Sequence, residues 1–281
     1  MGIKIWWQNI FPEEDQLRRE TGLKLNVSIP AAVATLMESV HKAARPDTEI
    51  VFHYLKHSAY MVQSYYLEML NTAWLLEGVI EAEKQGYDAV IIGCANDPGL
   101  QQARQAVDIP VVAPMEAASL LACTLGSRFG IVTVLDELVA YNERNIRLYG
   151  LESRLAPPVR VFPLGDNWVN MLFEMILRPE VLIPGFDQVC RECVEAGAEV
   201  ILPACCALSP AATLLGYREV PGTGVPVLDV TRAAVKMAET LVDLKRTSGI
   251  GKSQKRTYKS IPPEVRDGMR SLARFIDPAI L

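Results

Sequence analysis

The chain of 281 residues is half hydrophobic and 22% charged, with a formal net charge of −5; that is the composition of a soluble globular protein, neither disordered nor membrane-embedded. The acidic balance argues against nucleic acid as the main partner, which a basic surface would attract. No apolar run reaches the roughly 20 residues that span a bilayer, so no membrane partner is expected.

The first strand is expected at 3–7, in "GIKIWW", with no charged leader or cleavage site before it. Trp6 stands where a myristoylation signal needs Ser or Thr. The expected compartment is therefore the cytoplasm, where the six cysteines stay reduced. The stretch Phe11–Pro30 that follows is longer than the usual strand-to-helix connection and reads as a lid or a surface loop. A helix is expected at 30–44, a strand at 49–54 and a helix at 69–85. The pattern continues with strands at 88–93, 110–113, 129–134, 159–163, 198–203 and 225–228. Between and after them lie helices at 99–106, 115–126, 136–149, 179–196, 209–216 and 230–246. Such alternation marks parallel sheets with helices on their faces. The tail from 247 is a Gly/Ser/Lys linker and then a helix opened by two prolines, which would set Val265, Met269, Leu272 and Phe275 on one side to dock on this chain or a sister subunit.

Two of these strands end alike. In "DAVIIGCANDPG" a run of aliphatics fit for a strand covered on both faces stops at Cys94 and gives way to turn residues. Cys94 thus sits at the carboxyl end of a strand, where open α/β sheets place their ligands; a lone cysteine there would more often be a core residue. "GAEVILPACCALSP" repeats the pattern, pairing Cys205 with Cys94 and Cys206 with Ala95. Each copy is followed by a strand, "IPVV" or "VPVL", and an alanine-rich helix, "MEAASLLA" or "TRAAVKMA". Self-similarity of this kind implies two similar halves. The expected fold is α/β with two pseudo-symmetric domains, each a short parallel sheet flanked by helices, and a site in the cleft between them. The first domain would hold 1–114 and 225–246, the second 115–224, with 247–281 as linker and terminal helix.

A cysteine from each half, facing one small molecule, suggests acid/base work. Turns and helix starts after each cysteine offer N–H groups that draw a thiol pKa down. One thiolate would take a proton from a carbon acid while the opposite thiol returns one to the other face. The enolate between them needs donors. The expected substrate-binding set is Gln8, Asn9, Ala95, Asn96, Thr133, Val134, Cys206 and Ala207, around catalytic Cys94 and Cys205. A slip of one residue reverses a side chain at a strand end, so Cys206 is expected in the wall of the site rather than as the second base. Cys190 and Cys193 form a CxxC before Cys205-Cys206, which raises zinc as a reading, but Cys193 shares an apolar helical stripe with Val189 and Val194, and adjacent cysteines at a strand end point to opposite sides. No metal and no cofactor are expected.

"GCANDPG" resembles the GCxxDPG signature of hydantoin racemases in the aspartate/glutamate/hydantoin racemase superfamily. "AEVILPACCALS" resembles that family's second cysteine segment and "DIPVVAPMEAA" the strand and helix between, over a span of about Gly2 to Leu244. The resemblance implies two pseudo-symmetric α/β domains and two-base catalysis by Cys94 and Cys205 without a cofactor. The expected activity is a racemase or epimerase inverting a stereocentre alpha to a carbonyl in an amino-acid derivative or hydantoin-like substrate, and a homo-oligomer is expected. The chain departs from the pattern in two places. Ala204 stands where the family usually has glycine, and Trp7-Gln8-Asn9 replaces an Asn-Pro-Asn type of turn. Relatives on the scaffold leave a maleate-isomerase-like cis–trans isomerase, a decarboxylase or a non-catalytic small-molecule-binding module as alternatives.

Overall fold

The computed structural model describes residues 2–14, 16, 24, 26–57, 64–182 and 185–272. Two parallel sheets organise it. The first has strand order β2-β1-β3-β4, built from β1 (Ile3–Gln8), β2 (Thr48–His53), β3 (Ala89–Ile92) and β4 (Val111–Val112). The second has order β6-β5-β7, built from β5 (Phe129–Thr133), β6 (Arg160–Val161) and β7 (Val200–Pro203). A short antiparallel pair, β8 (Glu219–Val220) and β9 (Val225–Pro226), completes the strands.

The residues of β3 and β7 are buried throughout, as strands covered on both faces must be. Period-two alternation decides which helix each side chain meets. Trp6, Val90 and Ile92 pack against α2 (Tyr65–Lys84) and α3 (Leu100–Ala106). Ile5, Trp7 and Ile91 face α1 (Ile29–His41), α4 (Pro114–Leu125) and α9 (Val230–Ser248). In the second sheet, Ile131 and Leu202 also meet α4 and α9, through Met115, Ala118, Val230 and Ala233. Val132 and Ile201 face α5 (Glu137–Leu148), α7 (Gly185–Glu195) and α8 (Leu208–Leu214). The two alanine-rich helices of the repeat thus form the layer that both sheets share, and small side chains let them pack closely.

Several elements differ from expectation. The strand expected at 225–228 is β9, which pairs antiparallel with the unforeseen β8 and, among the described residues, meets the second sheet only in a bridge between Ile201 and Val227. The segment Trp168–Leu177, which the strand-and-helix reading left without an element, is a helix (α6), and its Val169, Phe173 and Ile176 pack on Ile29, Ala32 and Val33 of α1. Within the helix expected at 179–196 the described residues form a 3-10 turn, Pro179–Leu182, and α7, which starts at Gly185. Leu208–Leu214 and the other short helices follow the repeat closely. The terminal helix, α10 (Pro263–Leu272), is held by its polar side: Arg266 donates to the Ala106 carbonyl at 2.6 Å and Arg270 pairs with Glu77 on α2. Val265 and Met269 are exposed instead; Phe275 lies outside the described residues. Nine of the twenty residues of the 11–30 stretch, on which the reading as lid or loop falls, also lie outside them.

Gly93 is required by a close approach: a Cβ there would come within 2.8 Å of the Gln8 carbonyl oxygen and 2.5 Å of the Trp7 ring nitrogen. Both neighbours belong to β1, whose backbone cannot yield without breaking the sheet register. Gly93→Ala is expected to lower stability by about 1–3 kcal/mol, the usual cost of overpacking. Chemical denaturation checks this, and an unchanged midpoint would contradict it.

Candidate active site

Register aligns the carboxyl ends of the strands. Gln8 pairs with Ile92 in the first sheet and Val132 with Pro203 in the second. The chain then turns in the same way at both cysteines. Gly93 N–H donates to the Gln8 carbonyl and Ala204 N–H to the Val132 carbonyl, each at 2.8 Å. Cys94 N–H donates to Ile92 O and Cys205 N–H to Pro203 O, each at 2.9 Å. The Asn96 amide then points at Cys94 Sγ (3.5 Å) and the Ala207 amide at Cys205 Sγ (3.4 Å). The sequence repeat is a repeat of hydrogen bonds.

Both loops open into one cavity. Its polar lining is Asn9, Asn96 and the cysteines Cys94, Cys205 and Cys206; Gly93, Ala95, Ala204 and Ala207 supply backbone. The rest is apolar: Ile10, Phe11, Val33, Leu36, Val134, Leu135, Leu138, Trp168, Leu172, Phe173 and Ile176. No charged side chain is in this described wall. Of the residues expected to bind substrate, Asn9, Ala95, Asn96, Val134, Cys206 and Ala207 line the cavity with both catalytic candidates. Gln8 and Thr133 do not. The Gln8 side chain accepts from the Trp6 ring N–H at 2.8 Å and donates to the Asn9 carbonyl, locking the end of β1 from within. Thr133 is fully buried and its hydroxyl faces the Asn142 amide. The apolar wall from α1 and α6 was not foreseen, because helical aliphatic and aromatic stripes read as core. Here they are core on one side and cavity on the other.

Cys205 leans toward the core under α8 and Cys206 toward the layer containing Ala95, Met115 and Ala233, as adjacent residues at a strand end should. Burial pushes all three thiols up. The Asn96 amide draws Cys94 back down, and the Leu208 and Ala207 amides do the same for Cys205. For Cys206 the second push comes from Cys94. Asn9 lines the cavity, and among the described residues its amide nitrogen is buried without a hydrogen-bond partner. Cys190 and Cys193 lie in the core beneath the second sheet, away from this wall. Among the described residues no group of three or more His, Cys, Asp or Glu is placed to hold a metal ion, and no helix is long and apolar enough to cross a membrane.

The family model of Asp/Glu/hydantoin racemases matches residues 26–238. The chain belongs to this family. It is similar to a hydantoin racemase of Pseudomonas sp. (strain NS671), with 34% identity over 259 residues that cover 90% of this chain and 97% of that one. Among solved structures, an allantoin racemase from Pseudomonas fluorescens aligns with a TM-score of 0.74 and 28% identity, covering 93% of this chain and 98% of that one. An allantoin racemase from Klebsiella pneumoniae gives the same TM-score at 23% identity, over 93% and 94% of the two chains, and so shows the shared two-domain fold. Membership makes the protein an isomerase of the racemase type.

Because burial outweighs the amides at both strand ends, Cys94 and Cys205 are expected to react with iodoacetamide along a profile that rises on the alkaline side of the unperturbed thiol value near 8.5. Peptide-resolved mass spectrometry across pH reads this, and a midpoint near 7 for either thiol would contradict it.

Proposed function

We propose that the protein racemises a planar ring carbon acid of the hydantoin type that carries an apolar substituent, with Cys94 and Cys205 as the paired acid and base and no cofactor. The observation that supports it most is the matched pair of cysteine turns opening into one cavity. In one direction the Cys94 thiolate takes the proton from the stereogenic carbon, so an S–H bond forms as the C–H bond breaks. The electron pair moves onto the adjacent ring carbonyl. Asn9, a cavity-lining residue whose buried amide nitrogen is without a partner, would turn that donor to the oxygen, the kind of contact that stabilises developing charge. Cys205 then delivers its proton to the opposite face. The two thiols have exchanged protonation states, and the reverse direction or solvent exchange restores them.

The wall selects within the family's chemistry. A free amino acid brings a carboxylate and an ammonium group, and a dicarboxylate for an isomerase or decarboxylase brings two anions. Leaving such charges unpaired in an apolar cavity is costly, and among the described residues this wall offers no cation. A neutral cyclic imide needs only hydrogen bonds at its polar atoms. Its substituent can rest on the aromatic and aliphatic side chains of α1 and α6.

Cys94→Ser and Cys205→Ser are expected to lose racemisation by about 10²–10⁴-fold, the ordinary contribution of an acid/base group. Cys206→Ala should keep most of its turnover and change substrate affinity. Assays of all three on one substrate test the assignment; an inactive Cys206→Ala beside an active Cys205→Ala would shift the register by one residue. Between substrates, 5-benzylhydantoin should exceed allantoin in kcat/KM by about 10–100-fold, since burying a phenyl group contributes about 1.5–3 kcal/mol. Equal or reversed preference would remove the apolar-substituent assignment.

A further inference from the structure

The cysteine turns share another feature that the sequence repeat does not carry. Beyond Cys94, Asp97 donates its backbone N–H to the Cys94 carbonyl at 3.1 Å. Its carboxylate spans to the start of α4: one oxygen accepts from Met115 N–H (3.1 Å), the other from Glu116 N–H (2.7 Å) and from the Tyr149 hydroxyl (2.6 Å). The residue is buried and held at φ 49, a left-handed conformation that a non-glycine residue adopts only under constraint.

The second half reaches the same arrangement from the opposite end. Here Ser209 N–H donates to the Cys205 carbonyl at 2.9 Å. The carboxylate is Asp229, already sitting at the start of α9, where it accepts from the Thr231 amide at 2.9 Å and the Thr231 hydroxyl at 2.6 Å. It reaches back to α8, the helix that directly follows the cysteine turn, by accepting from the Ser209 hydroxyl (3.3 Å) and the Thr213 hydroxyl (2.7 Å). Ser209 in turn accepts from Val230 N–H at 2.9 Å. In both halves a buried carboxylate ties the start of the alanine-rich helix to the segment that holds the cysteine carbonyl: Asp97 itself in the first half, Ser209 on α8 in the second. In one half it is carried by the loop, in the other by the helix. That exchange of origin hides the pair from alignment, where Asp97 falls opposite Leu208.

We infer that Asp97 and Asp229 are paired positioning residues, one for each cysteine, that fix the Cys94 and Cys205 loops against the α4–α9 layer shared by both sheets. The role in catalysis rests on the two-cysteine reading above; the tie to each thiol does not. Neither carboxylate lines the cavity, so each acts through its loop. A capping role alone would stabilise the helix without distinguishing one thiol from the other.

The test uses full-length Asp97→Asn and Asp229→Asn, with Tyr149→Phe and Thr213→Val as milder variants that each delete one hydrogen bond should a carboxylate variant fail to fold. Iodoacetamide labelling of each thiol, resolved by mass spectrometry, needs no substrate. Asp97→Asn should change the labelling rate of Cys94 by about fivefold or more while Cys205 stays within about twofold, and Asp229→Asn should do the converse, because thiol reactivity follows its local amides and access. On 5-benzylhydantoin both should lower kcat by about 10–100-fold with KM nearly unchanged, the scale of a small displacement of a reacting group. Equal changes at both thiols, or none, would overturn the inference. Wild-type inactivity on every hydantoin, with thiol-selective labelling intact, would instead overturn the catalytic reading and leave the positioning role standing.

Discussion

A parallel strand buried on both faces has only its carboxyl end with which to do chemistry, and everything at this site depends on two such ends meeting. β3 and β7 are each hydrogen-bonded on both sides, to β1 and β4 in the first sheet and to β5 and a single bridge at Val227 in the second. Their side chains are packed between helix layers. The backbone therefore leaves each sheet along a fixed line. The same pair of hydrogen bonds at Gly93–Cys94 and Ala204–Cys205 then aims a thiol into the space between the sheets. The shared α4–α9 layer sets the separation of the two sheets, and small residues such as Ala117, Ala118, Ala233 and Ala234 at that layer keep it tight.

Thiols suit the cavity they face. A carboxylate would have to be held ionised among Val, Leu and aromatic side chains, at a cost that grows with every water excluded. A thiol spends most of its time neutral, and each unit by which burial raises its pKa costs about 1.4 kcal/mol in forming the thiolate. In return, the thiolate that does form is a stronger base toward a carbon acid. The amides of Asn96 and Ala207 recover part of the cost. Asp97 shows the same balance nearby: burial lifts its carboxyl to about 7, against the pull of Tyr149 and the α4 amides.

Much of this was legible in the sequence, for physical reasons. Aliphatic runs ending in turn residues marked the strands, and the repeat paired Cys94 with Cys205 because identical local turns need similar residues. The first sheet's glycine is explained by its approach to Gln8, while Ala204 shows that the second turn has room for a methyl group. What stayed hidden had no local signature. α6 is apolar along much of its length and meets α1 and the cavity at once, so its pattern does not reveal which residues face a ligand. Gln8 and Thr133 stand at the right strand ends, but their polar atoms are turned to Trp6, Asn9 and Asn142. Asp97 and Asp229 each bond to the start of an alanine-rich helix, yet stand at unrelated places in the repeat.

The central claim is that two bases act on opposite faces of one carbon, and the hydrogen that each returns reports it. Racemisation of one enantiomer of 5-benzylhydantoin by the unmodified protein in heavy water, followed at early times by NMR on the separated enantiomers, reads that hydrogen directly. Two opposed thiols predict product that carries deuterium from the first turnovers while the recovered substrate remains protiated. Deuterium entering both enantiomers at the same early rate would show a single base serving both faces, and would contradict the account.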